Sequence, residues 1–193
     1  MTMSMYEKVL AVTDRKLCTR PFPEQIRRVC GCRPKALVLR EKDLTPQAYR
    51  ELAEQVLEIC GEYQVDCILH NFTGAARELG VKRIHLPLKK LLSLSAEEKA
   101  AFAGIGTSVH SPEQARQALE AGAAWLFAGH IYESQCKAGL PPRGLEFLRE
   151  ICRLAGTVPV YAIGGIRRSQ AQIREIQSCG AAGACIMSEM MRL

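Results

Sequence analysis

At 193 residues, with 48% hydrophobic and 24% charged side chains, the chain has the length and composition of one well-buried globular domain rather than two. No apolar run is long enough to span a bilayer, and the first residues lack the basic-then-apolar layout of a secretion signal, so a cytoplasmic protein with no membrane attachment is expected. The net charge of +6 favours anionic ligands, but the basic residues are dispersed and aromatics make up only 6%, which argues against a nucleic-acid partner and for a small phosphate-bearing molecule.

Short β-rich runs alternate with amphipathic stretches along the whole chain. In order, the pattern predicts strand Lys8–Thr13, helix Pro23–Cys30, strand Ala36–Arg40, helix Pro46–Glu62, strand Asp66–Leu69 and helix Thr73–Leu79. It continues with strand Arg83–Leu86, helix Ala96–Phe102, strand Ile105–Val109, helix Pro112–Ala121 and strand Trp125–Ala128. Helix Leu145–Leu154, strand Val158–Ile163, helix Arg168–Ser178 and strand Gly183–Met187 complete the series. Ser111-Pro112-Glu113 supplies a capping hydroxyl before proline at the first helical position. Gly61, Gly80, Gly122 and Gly180 stand where helices are expected to stop.

Strand and helix alternating through short links imply parallel pairing with right-handed crossovers, and eight strands close most simply into an α/β barrel, the single-domain (β/α)8 TIM barrel. An open doubly wound sheet is the competitor, but Thr13-Asp14-Arg15 follows the first strand where that fold carries a glycine-rich fingerprint. Only Glu189–Leu193 remains for the last helix, which is therefore short or missing. Either that face of the barrel is incomplete or a second copy of the chain covers it, giving a homodimer. No linker or low-complexity tract divides residues 1–193.

The nine cysteines form no CxxC pair and sit mostly in apolar surroundings, so reduced, packed thiols are expected rather than disulfides or a zinc site. Cys136 could be a nucleophile or another packed thiol; no neighbouring base decides between them.

Active sites of such barrels lie at the C-terminal ends of the strands. Polar residues gather there: Thr13-Asp14, Arg40-Glu41-Lys42, His70-Asn71, His85, Ser108 with His110, His130, Gly164-Gly165 and Ser188. Arg40 and Lys42 read either as an anion clamp at the barrel mouth or as part of a surface ion cluster. Gly164-Gly165, with Met187-Ser188 from the last strand, forms either a phosphate cradle or a tight βα turn. His130 is the imidazole best placed for proton transfer, ahead of a polar, glycine-containing loop. His85 and His110 read as hydrogen-bonded barrel histidines.

In this order, a series of short landmarks resembles the thiamine-phosphate synthase superfamily, and more closely its thiazole tautomerase (TenI-like) branch. The landmarks include Ala11-Val12-Thr13-Asp14, Leu39-Arg40-Glu41-Lys42, Asn71, His85-Leu86-Pro87, Gly106-Thr107-Ser108-Val109-His110-Ser111, Gly129-His130, Lys137, Gly139-Leu140 and Ala162-Ile163-Gly164-Gly165-Ile166. Synthases of this group hold magnesium on acids after their third and fourth strands. Here Asn71 is followed by Phe72, and His85-Leu86-Pro87-Leu88-Lys89-Lys90 contains no acid. Where synthases have Gly-Pro, this chain has Gly129-His130.

The resemblance therefore implies a cofactor-free, metal-free isomerase that aromatises a carboxythiazole phosphate, with His130 as acid and base. It further implies that Gly164, Gly165, Met187 and Ser188 bind phosphate. Arg40, Lys42 and Lys137 would face a carboxylate, and Asn71 and Ser108 would complete the substrate contacts. A thiamine-phosphate synthase, or a binding protein without turnover, are the other activities the resemblance allows.

Overall fold

Runs of four to six mostly apolar residues form the strands: Val9–Val12 (β1), Ala36–Leu39 (β2), Cys67–His70 (β3), Arg83–Leu86 (β4), Gly104–Val109 (β5), Trp125–Gly129 (β6), Val160–Ile163 (β7) and Gly183–Ile186 (β8). The computed structural model describes residues 4–134 and 139–193. In it the strands pair in parallel, each with the next in sequence, and β8 returns to β1 with Leu10 opposite Cys185, closing the barrel.

Successive side chains point to opposite faces of a strand, and here both faces are dry. Leu10, Val12, Ala36, Val38, Ile68, Trp125, Phe127, Tyr161 and Cys185 fill the barrel interior as one cluster. Val9, Ala11, Leu37, Leu39, Leu69, Ile84 and Leu126 belong to a second, larger cluster beneath the surrounding helices. That double burial is why the strands read as continuous apolar runs.

The helices are Phe22–Gly31 (α1), Pro46–Tyr63 (α2), Thr73–Glu78 (α3), Leu88–Ser93 (α4), Ala96–Ala100 (α5), Pro112–Glu120 (α6), Gly144–Ala155 (α7) and Gln170–Ser178 (α8). Hydroxyls start several of them: Thr45 accepts from the Ala48 N–H, Ser111 from Gln114, and Ser169 from Gln172. Helix α2 does not stop at Gly61. It runs on to Tyr63 and ends at Gln64, whose left-handed backbone (φ 56°) supplies the turn and whose N–H returns to the last carbonyls. Helix α4 was not expected from the sequence; it is one short segment after Pro87, held down by the fully buried Leu91.

After β8 the chain forms turns in place of a last helix, and Met190 and Met191 are completely buried there. Gln25 Nε2 of α1 donates to the Met190 carbonyl at 2.7 Å, and Arg20 donates to the Leu193 carbonyl. The last helix is thus missing, as one of the two expectations had it, and residues of the C-terminal turns pack against the α1 segment at that face. Every described cysteine is a free thiol, whereas Cys136 lies outside the described residues. Among the described residues, no helix is long and apolar enough to cross a membrane.

Candidate functional site

The strand ends surround a cavity of about 750 Å³. At its β1–β2 rim, Glu41 is 2% exposed and accepts from several donors. The Thr13 hydroxyl donates to it at 2.7 Å, the Arg15 backbone N–H at 3.0 Å and the Arg15 guanidinium at 3.0 Å. Thr13 Oγ1 in turn accepts from the Arg40 N–H at 2.9 Å. Glu41 therefore ties β1 to β2, and the residues on either side of it, Arg40 and Lys42, line the cavity.

Further round, the His70 and His85 rings stack with centroids 5.8 Å apart. Burial, reinforced by the charges of Arg40, Lys42 and Lys90, pushes the His70 imidazole down to about 3. Burial also drives His85 well below its ordinary value, so both rings are neutral near pH 7. Ser108 accepts or donates across 2.9 Å to His85 Nε2 and lines the cavity.

At the β6–β7 rim, His110 Nδ1 donates to the Gly129 carbonyl at 2.6 Å and so braces the residue before His130. His130 is 5% exposed, and its Nε2 meets the Leu140 carbonyl at 3.3 Å. The loop after β6 lies directly on the one after β7. Ile131 N–H donates to the Ile163 carbonyl and Tyr132 N–H to that of Gly164, both at 3.0 Å. Gly164 sits at φ +98°, and a Cβ there would stand 2.2 Å from His130 Cβ. The tight-turn reading of this glycine thus has its own physical cause, alongside its place in the cavity wall.

The structure brings Arg40, Lys42, Ser108, His130, Gly164, Gly165, Met187 and Ser188 to the one cavity. Asn71 is not brought there: its backbone is left-handed (φ 70°), its carbonyl accepts from the Lys90 ammonium, and its side chain is absent from the lining. Lys137 falls outside the described residues. Sequence reasoning missed Arg167 and Arg192, which reach the lining from the segments after β7 and β8. Their signal was faint, a cation two residues past Gly165 and another four past Ser188, with no periodicity to mark them.

A magnesium ion of the kind held by synthases of this group would need carboxylates, and the donor set does not fit one. Where β3 and β4 end, Lys90 already occupies the Asn71 carbonyl, and burial lowers the pKa of that ammonium. The carboxylates lining the cavity, among the described residues, are Glu133 and Glu189. Glu189 is taken up by the Arg168 N–H at 2.6 Å. No group of three or more His, Cys, Asp or Glu among the described residues could hold a metal ion.

Residues 9–190 match the family model for thiamine monophosphate synthase. The chain belongs to that family. Within the thiamine monophosphate synthase family it is 37% identical over 129 residues to the thiamine-phosphate synthase of Thermus thermophilus, a match covering 66% of this chain and 62% of that one. The chain thus spans less than two thirds of that relative's length. It is 31% identical over 187 residues to the thiamine-phosphate synthase of Syntrophomonas wolfei, covering 93% and 86%. The solved thiamine phosphate pyrophosphorylase from Pyrococcus furiosus superposes with a TM-score of 0.79 at 26% identity, over 97% of this chain and 89% of that one.

Proposed function

We propose that the protein is a thiazole tautomerase of thiamine biosynthesis, which aromatises a carboxythiazole phosphate by moving protons. The observation that carries this reading is His130, buried in the cavity wall with Nε2 against the Leu140 carbonyl. A carbonyl oxygen only accepts, so Nε2 keeps its proton and Nδ1 is the ring atom left to take one from a substrate. The reaction removes one proton from a ring carbon and places one on the exocyclic carbon. Composition and oxidation level stay the same, so a single base that returns its proton suffices and no redox cofactor is called for. Arg40 and Lys42 suit the carboxylate; Gly164, Gly165, Met187 and Ser188, with Arg167 and Arg192, suit the phosphate. The partner on this reading is the small phosphorylated thiazole, and the setting is the cytoplasm.

A second reading, favoured by the names of the relatives, is thiamine-phosphate synthase, which couples thiazole phosphate to aminopyrimidine pyrophosphate. The test is conversion of the exocyclic tautomer by the purified chain. Wild type should turn it over and His130→Asn should be slower by about 100-fold or more, the usual share of a general acid–base. An undiminished His130→Asn rate would sink the proposal. Coupling activity, assayed with and without magnesium, would establish the second reading instead, and tight thiazole-phosphate binding with neither activity would mark a binding protein.

A further inference from the structure

Strands β4, β5 and β6 set His85, Gly106 and Trp125 side by side inside the barrel. With no side chain at position 106, the indole of β6 can cross β5: a Cβ on Gly106 would lie 1.9 Å from Trp125 Nε1. The indole N–H thereby reaches His85 Nδ1 at 3.2 Å. From the other side, the Arg83 guanidinium lies 5.1 Å from the indole centroid and is itself paired with Asp66 at 2.9 Å. Phe127 stacks on the His85 ring at 3.9 Å, and the remaining imidazole nitrogen, Nε2, stands 2.9 Å from Ser108 Oγ.

The direction of these hydrogen bonds follows from the indole, which is a donor only. His85 Nδ1 must accept, so the neutral ring carries its proton on Nε2 and gives it to Ser108 Oγ. An imidazolium would turn an N–H toward the indole N–H, and burial of His85 independently favours the neutral ring. Ser108, already accepting from His85, has its own O–H left to donate, and the residue lines the cavity.

We propose that Trp125 and His85 are positioning residues that fix Ser108 as a hydrogen-bond donor toward the cavity, so that the site selects a ligand presenting an acceptor atom there. An unprotonated ring nitrogen or a carboxylate oxygen meets that requirement, and an N–H does not. The identity of the ligand rests on the reading under Proposed function; the polarity of the relay does not.

The polarity is read directly on the full chain with 15N-labelled histidine, whose long-range proton–nitrogen correlations distinguish the tautomers. At pH 7 His85, assigned by the signal lost in His85→Gln, should be the Nε2–H form. An Nδ1–H form or an imidazolium would overturn the proposal. Affinity for thiazole phosphate gives the second readout. Ser108→Ala and Trp125→Phe should each weaken binding about 3- to 10-fold, as loss of one hydrogen bond does. In the Ser108→Ala background, Trp125→Phe should then cost nothing further. Additive losses would mean that the indole acts by packing alone and would overturn the proposal too. If wild type fails to bind thiazole phosphate, the proposed function fails while the tautomer measurement still decides the relay.

Discussion

At the β1–β2 rim the brace is a charge: one buried carboxylate, Glu41, gathers donors from Thr13 and Arg15 and sets Arg40 and Lys42 on the cavity. At the β6–β7 rim the brace is backbone against backbone, with Gly164 pressed on His130 and the two loops joined by main-chain hydrogen bonds. The first rim places on the cavity Arg40 and Lys42, the cations that on the proposed reading meet the substrate carboxylate. The second holds the His130 imidazole, which on the proposed reading must sit where the proton leaves. A charge-based brace tolerates some rearrangement; a steric one does not, and the two rims should therefore respond differently to substitution.

The harshest way to break the second rim is Gly164→Ala. The added Cβ would stand 2.2 Å from His130 Cβ, on a backbone at φ +98° that other residues rarely adopt. Strain and overlap together should cost about 3 kcal/mol, read as a lower urea midpoint, and should depress kcat by moving His130. At the first rim, Glu41→Ala leaves the Arg15 guanidinium and the Thr13 hydroxyl without their shared partner. A loss of about 2–3 kcal/mol is expected in the same unfolding experiment. Here KM should rise more than kcat falls, because Arg40 and Lys42 lose their aim rather than the proton its base. A Glu41→Ala variant with unchanged KM would refute the division between the two rims.

The difference between the rims also explains what was legible in the sequence. The eight strands and most helices announce themselves through apolar runs and capping residues, because local backbone preference and burial agree at those positions. Arg40, Lys42 and His130 were identifiable since charged or titratable side chains at strand ends are chemically distinctive. Glu41 as the brace was not, because its partners Thr13 and Arg15 are distant in sequence and meet only when β1 and β2 pair. Arg167 and Arg192 reach the cavity from irregular segments without periodicity. Asn71 shows the opposite failure: a polar residue in the expected place whose backbone, rather than its side chain, is engaged by Lys90.

Between the two rims lie the buried histidines, which give the molecule a pH response. In the unfolded chain an imidazole takes up a proton near its ordinary pKa of about 6.5. Folded His70 does so only near about 3, and burial lowers folded His85 as well. Below about 6.5 the unfolded state therefore binds more protons than the native one, and stability falls as the pH drops toward 3. Above that range these groups contribute no slope. His70 should contribute roughly 1 kcal/mol per pH unit, seen as urea midpoints that decline between pH 6 and 4, and His85 acts in the same direction. His70→Gln should make that decline shallower, and an unaltered slope would mean that His70 is protonated in the native state.

The smallest effect is expected at the outer edge of the charged rim. Asp43 makes a paired contact with the Arg15 guanidinium at 2.7 and 2.8 Å, and that guanidinium together with Lys16 holds its carboxyl well below the usual range. Good geometry alone would make this pair look as important as Glu41. Asp43, however, is 39% exposed, where water solvates the separated ions and salt screens the attraction, whereas Glu41 is shut away from both. Asp43→Asn should accordingly leave the unfolding midpoint almost unchanged at physiological salt, with a small decrease appearing only at low ionic strength. A large, salt-independent loss would show that Asp43 belongs to the brace, and that the buried carboxylate does not hold Arg15 by itself.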